Sequence, residues 1–157
     1  MRGRFMSRQN SILRGFTFGI VASCPLVFLF IVIGQILAGG FTSFWGETWL
    51  YLAVCIPFGI TFAFLDSYFY KKERLSAKTL WIISLISSFF IAIYSATVGT
   101  VFGESIVRGG FDTLNITGIF SWGIIYALVL TPIVTLVVRV LIGIYLKRIL
   151  KINHANK

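Results

Sequence analysis

Four long stretches without a charged residue divide the chain, at 15–46, 48–65, 79–103 and 113–138. The first has its apolar heart between Phe16 and Ala38, and the second lies between Glu47 and Asp66. Lys78 and Glu104 flank the third, and Asp112 and Arg139 flank the fourth. A helix needs roughly 20 apolar residues to cross a hydrocarbon core about 30 Å thick. Three runs meet that length, and the second meets it once Glu47 and Asp66 are placed at the two interfaces. The stretches are too long, and alternate too little, for the roughly 10-residue strands of a membrane barrel. The pattern predicts an all-α integral membrane bundle of four transmembrane helices, because a helix closes its backbone hydrogen bonds within one segment.

The boundaries follow as a single membrane domain. We expect an arm over 1–14, spans at 15–39, 47–66, 79–103 and 117–140, loops at 40–46, 67–78 and 104–116, and a tail at 141–157.

Charge orients these spans. Arg2, Arg4, Arg8 and Arg14 precede the first, Lys71, Lys72, Arg74 and Lys78 separate the second from the third, and Lys147, Arg148, Lys151 and Lys157 follow the fourth. Those segments hold twelve of the fourteen basic residues, and four crossings put them all on one side. The opposite side has Arg108 among Glu47, Glu104 and Asp112. The positive-inside rule then predicts cytoplasmic termini, most simply in a bacterial cell membrane. Trp45, Trp49 and Trp122 fall at the outer boundary, and Tyr68, Tyr70, Trp81 and Tyr145 at the inner one, as an aromatic belt requires. The net charge of +9 is accounted for by this topology. Anionic lipid headgroups, each basic residue attracting them by about 1 kcal/mol, are expected as partners in place of nucleic acid.

A few residues are costly in lipid. Arg139 interrupts the last apolar segment eight residues before Lys147. In one reading it marks the interface. Arg139, Gly143, Lys147 and Lys151 then recur every four residues along an amphipathic extension, opposite Leu141, Ile142, Tyr145 and Ile149. In the other it faces the bundle and forms an intramembrane ion pair with Asp66. Pro25, Pro57 and Pro132 each sit inside a predicted helix, at similar depth, and are candidate kinks. Ser84, Ser88, Ala92, Ser95, Gly99 and Gly103 fall on one face of the third helix, where small residues permit close helix approach. Gly15, Gly19 and Ser23 repeat that theme in the first.

Chemistry-bearing motifs are sparse. Cys24 and Cys55 both fall inside predicted helices, without the paired spacing of a membrane thiol oxidoreductase. Val21–Ala22–Ser23–Cys24 fits a lipobox, but Pro25 and the run 26–33 carry the apolar segment well past it, unlike a secretory signal. The single histidine, His154, lies in the tail. Neither a catalytic residue, a cofactor nor a metal site is expected, so the chain reads as a non-enzyme.

The stretch Ile56–Pro57–Phe58–Gly59–Ile60 through Leu65–Asp66, followed by Lys71–Lys72, resembles the second-helix region of small uncharacterised four-helix membrane proteins of Gram-positive bacteria. It covers about a sixth of the chain. The resemblance implies the four-span fold and carries no activity and no functional residue.

Two functions fit this reading. One is helix–helix contact with a membrane partner, as an accessory subunit or an immunity-type protector. The other is a small permease or a channel-forming homo-oligomer, with a lumen drawn from Ser84, Ser88, Tyr94, Ser95 and Gln35.

Overall fold

The computed structural model describes residues 2–40, 47–69, 76–112 and 114–155, with side chains over 10–40, 47–69, 76–112 and 114–148. Lys71, Lys72, Arg74, Trp45, Tyr70 and Lys157 lie outside the described residues, as do the side chains of Arg2, Arg4, Arg8, Lys151 and His154.

The protein is all-α. Its helices are α1 (Arg2–Leu37), α2 (Trp49–Phe69), α3 (Ala77–Tyr94), α4 (Thr100–Arg108) and α5 (Ile116–Ala155), with a π-helical turn, Ser95–Gly99, joining α3 to α4. α3, the π turn and α4 form one continuous third span. Four helical stretches are long and apolar enough to cross a membrane: Asn10–Leu37, Trp49–Phe69, Ala77–Arg108 and Ile116–Arg148. The expected arm and tail are helical continuations of the first and last spans, because Arg2–Arg14 and Leu141–Ala155 contain no proline or glycine strong enough to end a helix in progress.

Local chemistry sets the ends. Ser76 caps α3 by accepting from the Thr79 backbone N–H at 3.1 Å, satisfying one of the donors a helix start leaves open. Gly109 ends α4 in the left-handed region at φ 79°, and the Gly110 N–H donates to the Ser105 carbonyl at 2.9 Å. That is a glycine C-cap of the kind that commonly ends a helix. The Asn115 side chain accepts from the Gly118 N–H at 2.9 Å and starts α5.

α1 lies against α2 in an antiparallel stagger of four residues. Gly15 faces the Phe62 backbone, and Gly19 faces the backbone of Phe58 and Gly59. One turn on, the Cys24 and Cys55 sulfurs stand 3.8 Å apart. A Cβ on either glycine would meet a carbonyl oxygen at 2.5 Å, so only glycine permits this approach. α3 packs on α5, where the Ser88 and Thr135 hydroxyls meet at 2.6 Å. The π turn and α4 pack on α2 through Gly99 and Gly103, which rest on the backbone of Ala53 and Trp49. Gly123 of α5 rests on the carbonyl of Ala96.

The core gathers toward the end that carries both termini. Phe58, Phe62, Leu65 and Phe69 of α2 are buried there with Ile91, Val138, Ile142 and Tyr145. Phe18 joins α1 to this cluster, its ring 4.7 Å from that of Tyr145 and 5.2 Å from that of Phe62. Elsewhere the helices are thinly covered: only 22% of the most apolar window of the first span is buried, and 28% of the fourth. Uncovered apolar flanks on this scale are what a surrounding bilayer solvates.

Candidate functional site

Three features concentrate what this fold can do: a buried polar latch, an isolated arginine and an apolar groove.

The latch closes the termini end. Asp66 is buried to 1% exposure in α2. The Ser11 hydroxyl donates to its Oδ2 at 2.6 Å, and the Arg14 guanidinium lies 3.5 Å from the same oxygen. Tyr145 stands beside them, its hydroxyl buried without a well-formed hydrogen bond among the described residues. A buried carboxylate is tolerated only when paired and hydrogen-bonded, and α1 supplies both partners from one face, three residues apart. The pair expected between Asp66 and Arg139 is therefore corrected. Arg14 reaches Asp66 because α1 lies close along α2 at this end, whereas Arg139 sits on the side of α5 that faces Trp81 of α3.

Arg139 stands elsewhere. Its guanidinium lies over the Trp81 ring of α3, 5.7 Å from the centroid. Its Nε is buried without a hydrogen-bond partner among the described residues.

The groove occupies the other half of the bundle. α1 and α5 meet at Phe18 and Tyr145 but leave a cavity of about 920 Å³ between them toward the loop end. Leu26, Phe30 and Ile33 line one wall and Trp122, Tyr126 and Ile133 the other, with Phe58 and Ile91 among the residues behind. The lining is almost wholly apolar. Part of its wall is the π turn, which contributes Ser95 and Ala96. The turn leaves the Ser95 carbonyl to the Thr100 hydroxyl at 2.8 Å, while the Ser95 hydroxyl is buried and unbonded among the described residues. Such single π turns occur often at functional positions.

The small-residue face of the third span divides between two neighbours. Ser84, Ser88 and Ala92 are buried in α3, with the Ser88 hydroxyl shared with Thr135 of α5 and that of Ser84 bonded to the Leu80 carbonyl. Gly99 and Gly103 serve α2, and Ser95 borders the groove. Helices run through all three prolines. Pro57 is buried whereas Pro25 and Pro132 face outward, and a break in α-helical hydrogen bonding falls at the π turn. The candidate lumen residues are not brought together either. Gln35, 6% exposed, has neither amide atom bonded among the described residues, and it sits near the far end of α1 from Ser84.

Sequence reasoning missed Ser11 and Arg14 as partners of Asp66. The signal was present: Ser11 extends the lane Gly15–Gly19–Ser23 by one turn, onto the same face of α1. The groove left no comparable trace, because its lining residues read as ordinary lipid-facing side chains.

Compared with family models, curated proteins and solved structures, the chain matches none of them.

Proposed function

We propose that this four-span protein is a non-enzymatic membrane protein that acts by seating a transmembrane segment of a partner protein across the mouth of the α1/α5 groove. The role is that of an accessory subunit or an immunity-type protector. The observation that carries the reading is the groove itself: two neighbouring spans touch at one end and are held apart at the other.

Size favours a helix laid across the opening with its apolar side chains inserted. Ten residues of helix, about 15 Å long and about 11 Å across, occupy roughly 1,400 Å³. The cavity of about 920 Å³ is too small for the whole segment and ample for one face of it. Gly34 supports this. It lies one turn beyond Phe30 on the same stripe of α1, is exposed, and has no atom within 4 Å of where a Cβ would sit. A vacant glycine beside a groove lets a second backbone come close.

The permease or homo-oligomeric channel is the second reading. Ser95 at the groove wall is its best remaining support, since the hydroxyls of Ser84 and Ser88 are already spent inside the chain. In either case the basic segments orient the termini toward the cytoplasm, in a bacterial cell membrane.

Native electrophoresis in mild detergent, followed by mass spectrometry of co-purifying chains, separates the two readings. We expect a stoichiometric second membrane protein. A ladder of this chain alone, together with solute flux in liposomes, contradicts the partner reading and favours the channel.

A further inference from the structure

We propose that Arg139, stacked on Trp81 and open toward Gly143, is a seat for the phosphodiester of an anionic glycerophospholipid. The site is independent of the groove.

Depth comes first. Arg139 lies 23 residues along α5 from Ile116, about 35 Å at the helical rise, against a hydrocarbon core of about 30 Å. With Ile116 at one interface, Arg139 sits at the opposite headgroup–acyl boundary. Trp81 agrees, five residues inside the Ser76 cap of α3 and about half exposed, where indole rings collect.

The direction of the side chain comes next. A helical side chain ordinarily leans toward the N-terminus, which for Arg139 is deeper into the bilayer. Here Nη1 instead comes within 3.9 Å of where a Cβ of Gly143 would be, one turn toward the C-terminus. Gly143 has no other neighbour within 4 Å of that point. The missing side chain leaves a channel along which the guanidinium rises toward the surface, in line with exposed Lys147 a turn further on. The spacing Arg139, Gly143, Lys147 thus has a physical reason.

Charge completes the case. Asp66 is committed to Ser11 and Arg14, and Glu104 to Arg108 at 3.3 Å at the other end of the bundle. A cation that stacks on an aromatic face, has its Nε buried without a partner among the described residues, and sits at the lipid boundary is suited to an anion from the headgroup layer. A planar guanidinium matches a phosphodiester in two-point geometry. The lipid is the source because the ring and flanking apolar residues hold the site at the membrane boundary, where phosphodiesters are concentrated.

The test is native mass spectrometry of the full chain, titrated with phosphatidylglycerol or phosphatidylcholine of identical acyl chains. Both lipids offer the phosphodiester, but in phosphatidylcholine the choline ammonium competes with the guanidinium for it, so the unaltered protein is expected to bind its first phosphatidylglycerol about tenfold more tightly. Arg139→Gln should remove most of that preference and Arg139→Lys only part of it. Gly143→Leu should reduce it with the charge intact, which a general basic surface would not show. Helical content by circular dichroism checks folding, and Arg139→Lys, which keeps the charge, serves as the conservative variant. The proposal is overturned if Arg139→Gln keeps the full preference, if millimolar inorganic phosphate displaces the lipid, or if Glu73→Gln creates a preference the unaltered chain lacks. The last result would make Glu73, outside the described residues, the true partner.

Discussion

Asp66 shows how one side chain determines the packing of its neighbours. With its side chain buried and its charge met from α1 by Ser11 and Arg14, the carboxylate holds α1 to α2 at the termini end. Ser11→Ala and Asp66→Asn should each lower the unfolding midpoint in detergent, since hydrogen bonds to charged groups contribute about 1.5–3 kcal/mol. Combined, they should cost about 1 kcal/mol less than the sum of the single changes, the signature of direct contact. Asp66→Asn with Arg139→Gln should be additive, because those residues do not touch. A large coupling in the second cycle and none in the first would reinstate the pairing with Arg139. Arg14 should couple weakly, since its half-exposed side chain is screened by solvent. The sequence shows that Asp66 needs a partner, because an acid at that boundary is costly. It does not show which one, because Arg14 and Arg139 both fall near that boundary and the choice depends on which helix lies alongside.

The elements were more legible than their contacts. Four neutral runs and the loops between them mark the spans because hydrocarbon thickness imposes a length no other constraint competes with. The π turn has no such signature: it lies where Gly99 rests on the α2 backbone and Gly123 of α5 rests on Ala96, contacts that exist only in the assembled bundle. The prolines lie inside helices that continue past them, as a helix in a bilayer can when neighbouring groups re-satisfy the freed carbonyl.

The contact between α1 and α2 yields two predictions. Gly19→Val should destabilise the fold by about 1–3 kcal/mol, as overpacking does, whereas Gly34→Val, on the open face, should leave it unchanged; parallel thermal melts compare them. A membrane-permeant oxidant such as iodine should join Cys24 to Cys55, whose sulfurs are already 3.8 Å apart. Protection of both thiols from later alkylation reports the bond. If both remain alkylatable, the stagger of α1 on α2 is wrong.

At the scale of the whole molecule, the bundle is closed at one end and open at the other. Aromatic rings and the polar latch hold α1, α2 and α5 together near the termini, while the groove parts α1 from α5 toward the loops. On the proposed function, the groove is the face on which a partner segment sits, apart from Arg139. The most direct test puts a photo-crosslinking amino acid at Ile33 or Trp122, on the two walls of the groove, and at Val21, on the opposite face of α1. All three positions are exposed, at 48%, 62% and 64%, so exposure alone does not distinguish them. Irradiated in native membranes, Ile33 and Trp122 should yield a discrete adduct with another protein and Val21 should not. Equal adducts from all three, or lipid adducts alone from the groove, would contradict the account.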